Sequence, residues 1–217
     1  MEDNTSKINF NPWVGKNYEQ GINGKKVLVL GESHYCAPVE SRRCTGHICN
    51  QENAKKCSDF TIETMNEFVY SYWGGKYQQT FLTFERQVTN KELSQEEREE
   101  FWNSLMFYNY LQYALEGPRQ EPSPTQWKMW AQSEEAFEEL LQKYLPDKII
   151  VWGKRLFEAL PEWDSSLETL VTEDGQQAPV RDYHFQGKTI SALQVYHPAM
   201  PNGKARGWHE FYKLFLK

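Results

Sequence analysis

Two runs of five residues, Lys26-Val-Leu-Val-Leu30 and Lys148-Ile-Ile-Val-Trp152, set the strongest constraint on what this chain can fold into. Each is apolar at consecutive positions instead of alternate ones, and each is cut short by glycine, at Gly31 and at Gly153. A strand that is apolar on both faces has to be covered on both, which is the condition met in a parallel sheet with helices above and below. Thr189 to Tyr196 is a further strand candidate, as is Leu105-Met-Phe-Tyr-Asn-Tyr-Leu111, although the latter is apolar enough to continue a preceding helix instead.

Amphipathic stretches separate these runs. Thr61 to Tyr72 and Tyr77 to Gln87 repeat apolar residues at three- and four-residue spacing, and Ser94 is placed to cap a helix leading to Trp102. Ser123-Pro124 is a helix start, and Phe137, Leu140, Leu141, Tyr144 and Leu145 mark the apolar face of a helix that ends at Pro146. A short helix over Lys154 to Leu160 and a last one carrying Trp208, Phe211, Leu214 and Phe215 complete the series. Strands alternating with helices predict an α/β fold, a three-layer α/β/α sandwich around a central, mostly parallel four-stranded sheet. With no internal repeat or linker, residues 1–217 are expected to form a single domain, interrupted by a cysteine-rich insertion at about 36–57.

Composition narrows the functional classes. An aromatic content of 15% supplies the bulk needed for a packed core and argues against disorder. The longest apolar runs are four residues or so, far short of the ~18 needed to cross a bilayer, so no membrane partner is expected. The start MEDNTSKINF lacks the basic and then apolar pattern of a secretory signal, which points to a cytoplasmic protein, with a monomer as the default state. The net charge of −6 excludes a polycation that holds nucleic acid with its whole surface. The acidic run Gln95 to Glu100 reads as a solvated helix face.

In open α/β sheets ligands bind beyond the carboxyl ends of the strands. The four segments found there are Gly31-Glu-Ser-His-Tyr35, Asn109 and its neighbours, Gly153-Lys-Arg155 and His197-Pro-Ala-Met-Pro-Asn202. In that order they resemble the motifs of the uracil-DNA glycosylase superfamily. Val27 to Tyr35 is similar to its strand followed by G-Q-D-P-Y-H or a G-x-N-P-G variant, and Leu105-Met-Phe-Tyr-Asn109 to its strand ending in a base-binding Asn. Ile149-Ile-Val-Trp-Gly153 resembles a strand reading L-L-W-G, and His197 to Asn202 followed by Arg206-Gly-Trp208 resembles H-P-S-P-x-N before a helix carrying G-W.

The resemblance implies a uracil-DNA glycosylase-like fold and a DNA repair activity, hydrolysis of the N-glycosidic bond of a damaged or deaminated base, with DNA or a free base or nucleotide as partner. That chemistry needs a group to hold the edge of an extruded base and a donor for the charge that develops on it as it departs. Asn109 offers both a donor and an acceptor, and His197 a donor. The resemblance also assigns Gly31 and Tyr35 to the pocket wall, and Met200 and Asn202 to the loop entering the groove. One departure bears on catalysis: Ser33 stands where the family carries Asp or Asn, and a neutral hydroxyl is no general base unaided. Glu32 and His34 are the adjacent candidates to replace it. Ala199 likewise replaces a motif Ser. The alternative is a non-catalytic base, nucleotide or nucleic-acid binding protein on the same fold.

All four cysteines, Cys36, Cys44, Cys49 and Cys57, fall within the insertion. The chemistry of the resemblance requires no cofactor, but four thiols this close suit a structural zinc or, as a second choice, an iron–sulfur cluster. The C-x2-C knuckle is absent, and a loop of unpaired thiols fits the spacing as well. With a metal bound, the chain could also serve as a metal-stapled interaction protein. Arg42, Arg43, Lys55 and Lys56 make the same insertion the most basic segment.

Overall fold

The structure, a computed structural model, describes residues 6–35, 57–115, 124–200 and 207–217. Nine strands are found among these residues: β1 (Trp13–Val14), β2 (Val27–Gly31), β3 (His34–Tyr35), β4 (Leu105–Asn109), β5 (Ala114–Leu115), β6 (Lys148–Trp152), β7 (Ser165–Val171), β8 (Gln177–Phe185) and β9 (Lys188–Val195). Six helices accompany them: α1 (Phe60–Tyr70), α2 (Gln78–Thr89), α3 (Gln95–Asn103), α4 (Pro124–Tyr144), α5 (Lys154–Ala159) and α6 (Trp208–Phe215). None is long and apolar enough to cross a membrane.

The main sheet is ordered β1-β4-β2-β6-β9-β8-β7, with β3 and β5 forming a small separate pair. Its centre, β4-β2-β6-β9, is parallel throughout. The expected four strands are therefore the core of a larger mixed sheet of seven strands, in which β1 pairs antiparallel with β4 and the hairpins β7-β8-β9 extend the far side. The additional strands escape a search for consecutive apolar residues because β7 is mostly exposed and β8 alternates.

Buried side chains form one cluster on each face. One face packs Phe68, Phe84, Trp102 and Phe211 from α1, α2, α3 and α6, and the other packs Phe137, Leu140 and Leu141 from α4 and Leu156 from α5. This two-sided covering is why β2, β4 and most of β6 are buried at every position. Helix α3 begins with a capping box, Ser94 Oγ accepting from the Glu97 N–H and Glu97 Oε2 from the Ser94 N–H. Arg98 departs from a purely solvated reading of that helix: it is buried against Glu85 at 2.9 Å, and Trp102 Nε1 donates to the same carboxylate at 3.1 Å.

Chain order and sheet order differ at β2, whose successors lie on opposite sides: β4 on one and β6 on the other. The connections leaving the carboxyl ends of β2 and its neighbours thus diverge, opening a crevice of the kind that binds ligands in doubly wound sheets.

Candidate functional site

Strand register brings the sequence-selected residues to one edge. Gly31 is aligned with Asn109 at the ends of β2 and β4, Trp152 ends β6 opposite Val195, and His197 follows two residues after β9. The alternation of side chains puts Gly31, Phe107, Asn109 and Trp152 on the same face of the sheet. A methyl group at Gly31 would meet Asn109 Oδ1 at 2.2 Å and Phe107 Cζ at 3.3 Å, so the absence of a side chain is what lets the amide lie over the strand end. The Phe107 and Trp152 rings are 5.4 Å apart, and the Trp152 ring meets His197 edge to face at 5.9 Å. Phe107 and Trp152, both buried and packed on Phe81 and Phe84 of α2, thus form a core floor beneath the edge between Asn109 and His197.

Two polar groups on this floor differ in how they are held. Asn109 is 9% exposed, and its side-chain amide has no hydrogen-bond partner among the described residues. His197 is half-buried, and the backbone N–H of Ala199 donates to its Nδ1 at 3.1 Å. That contact makes Nδ1 an acceptor and so assigns the ring proton to Nε2. Burial lowers the His197 pKa from its ordinary value, which keeps the ring neutral at pH 7 with Nε2–H as a fixed donor. The Trp152 indole N–H, unpredicted from sequence as a polar feature, is buried without a partner among the described residues.

The residues beyond β2 take different directions. Glu32 is held by Arg155 in a two-pronged pair, with Arg155 Nε donating to Oε2 at 2.9 Å and Nη2 to Oε1. Both carboxylate oxygens are thus directed at the guanidinium by charge-assisted bonds. Ser33 Oγ is buried and has no partner among the described residues. His34, the other candidate base, sits in the opposite core cluster: its ring lies 4.5 Å from Phe10 and is stacked on Phe60 at 4.9 Å, and Nε2 is 2.8 Å from Thr61 Oγ1. Burial lowers its pKa to about 3, so it stays neutral through the physiological range and acts as a core residue. Tyr35 is 46% exposed and makes no ring contact among the described residues, so it forms no stacking wall there.

Met200 is exposed, its N–H closing a turn onto the His197 carbonyl at 2.9 Å. Asn202 lies outside the described residues, as do Cys36, Cys44 and Cys49. Cys57 is buried just before α1, its carbonyl accepting from the Phe60 N–H. Among the described residues no group of three or more His, Cys, Asp or Glu side chains is placed to hold a metal ion.

A cavity of about 750 Å³ lies elsewhere, between β1 and α1 and beside Asn103 at the amino end of β4. Its polar side chains satisfy one another: Trp13 Nε1 donates to Asn66 Oδ1 at 2.9 Å and Tyr70 Oη to Asn103 Oδ1 at 2.9 Å. The carboxyl edge, where Ser33 Oγ and the Trp152 indole N–H lack partners among the described residues, has the stronger claim to chemistry. No protein-family model matches the chain, and no curated protein is similar to it.

Proposed function

We propose that the carboxyl edge of the sheet is a nucleobase pocket on a uracil-DNA glycosylase-like frame, gripping an extruded or free base through Asn109, with His197 placed beside it as a donor for charge on a departing base. The observation that carries this reading is the nearly buried Asn109 amide lying over Gly31, on the same edge as the His197 donor. An amide edge pairs with a base edge as donor and acceptor at once. The Phe107 and Trp152 rings, buried against Phe81 and Phe84, hold this edge rigid from below.

The same residues support only slow N-glycosidic hydrolysis. His197 Nε2–H can stabilise charge on a departing base, a contribution of about 3 kcal/mol for one well-aimed donor. General-base help, typically worth 10²- to 10⁴-fold, has no carrier: Ser33 is not basic, Glu32 is held by Arg155, and His34 is caged. The protein is thus primarily a binder of bases or base-bearing DNA. The test is a screen of oligonucleotides with different damaged bases, scored for both binding and cleavage. Selective binding with cleavage orders of magnitude below a proficient glycosylase is expected; rapid turnover, or no base-dependent binding at all, would overturn the reading.

A further inference from the structure

Among the described residues, the far end of the sheet carries an open edge, since strand β7 pairs with β8 on one side only. Its inward hydrogen bonds can be located from the ends of the ladder, where the His184 N–H donates to the Asp164 carbonyl and the Thr172 N–H to the Gln176 carbonyl. Hydrogen-bonded positions alternate along an antiparallel strand, so the even-numbered residues face β8. The N–H and C=O groups of Ser165, Leu167, Thr169 and Val171 therefore point away from the sheet. Their side chains share one face, on which Leu167 is 65% and Val171 50% exposed, while Leu170 on the other face packs into the core. Proteins blunt such edges with lysine, proline or a bulge. Ser165-Ser-Leu-Glu-Thr-Leu-Val171 has no Lys, Arg or Pro, and no residue of it has a positive φ.

We propose that β7 is a self-association surface, whose occupant is β7 of a second copy of this chain, paired antiparallel about a twofold axis at Thr169. Charge and shape select this register. With Thr169 opposite the partner subunit's Thr169, Leu167 faces the partner subunit's Val171, and Glu168 faces the partner subunit's Leu170. Centring the pair on Glu168 would set two carboxylates directly opposite, which is repulsive. Centring it on Leu167 would leave Val171 beyond the paired strands. In the Thr169 register every outward backbone group from Leu167 to Val171 gains a partner, and the two exposed apolar side chains cover each other. A seven-residue edge is only about 24 Å long, so the buried area falls near the lower limit for a specific contact, about 1,000 Å² in total. The dimer is accordingly weak and reversible, and its two base pockets remain separate.

Sedimentation of the full chain over a hundredfold range of concentration tests this. Wild type should pass from monomer to dimer, and T169P should raise the dissociation constant by at least about tenfold, because the N–H it removes is directed outward. Should T169P also lower the melting temperature, L167K/V171K takes its place, since both side chains are exposed. Under oxidising conditions T169C should form a covalent dimer, with the cross-link mapped by mass spectrometry to position 169 in both chains. A monomer at every concentration, a dimer unchanged in T169P and L167K/V171K, or no cross-link through position 169 would overturn the proposal.

Discussion

Two histidines near carboxyl ends of the same sheet have opposite surroundings. His34, three residues after the last residue of β2, lies between Phe10 and Phe60 with Nε2 against Thr61 Oγ1. His197, two residues after β9, rests on the edge of Trp152 with Nδ1 fastened by a backbone N–H. Both are neutral at pH 7, yet one fills a core and the other presents a donor to a crevice. A histidine becomes available for chemistry through the partner of its second nitrogen and the face of the sheet it occupies; its position in a motif is insufficient.

The sharpest way to break this contrast is by stability. His34→Ala should cost about 3 kcal/mol in urea unfolding, the scale for deleting a buried ring. His197→Ala should stay within about 0.5 kcal/mol, as expected of a half-buried side chain away from the core. Equal costs would mean that the two rings are not differently embedded.

The pH dependence follows from the same burial. The His34 pKa is lowered to about 3 in the folded protein, below its ordinary value near 6.5 when unfolded. Above about pH 6.5 neither state takes up the proton and stability does not respond. Between about pH 6.5 and 3 only the unfolded chain is protonated, so stability falls with falling pH, by up to about 1.4 kcal/mol per unit. The loss nears its full extent at about pH 3. His34→Gln should flatten this part of the urea-unfolding profile, and an unchanged slope would assign it to other groups.

Smaller effects sharpen the site itself. Asn109→Ala should weaken binding of the preferred base by about 1–3 kcal/mol, since the base edge then enters a dry pocket without its partner. His197→Ala should lower turnover while leaving base affinity nearly unchanged. Glu32→Gln should change folding stability by less than about 1 kcal/mol, because Arg155 is 47% exposed and solvent screens the pair. If Glu32→Gln instead abolished a measured cleavage activity, the carboxylate would be the missing base.

Much of the sheet was legible because consecutive apolar residues leave few alternatives. Lys148–Trp152 matches its expected limits, and β2, β4 and β9 agree to within one or two residues. The β7-β8 hairpin was not legible, because Leu167 and Val171 face solvent and Arg181 and Asp182 interrupt β8. At the site, the positions of Gly31, Asn109 and His197 follow from strand ends and the order of the chain. The fate of the residues after Gly31 does not, since neither the Glu32–Arg155 pair nor the Phe10–His34–Phe60 stack is implied by local sequence. These contacts join segments far apart in the chain, and only packing decides them.

Nuclear magnetic resonance of the side chains during titration with a panel of free nucleobases shows whether Asn109 and His197 meet the same base. The base that binds should shift the Asn109 side-chain amide and the His197 imidazole nitrogens together and saturably, while the His34 resonances stay fixed. Saturable binding that leaves Asn109 and His197 unmoved, or no binding by any base, would contradict the assignment of the pocket.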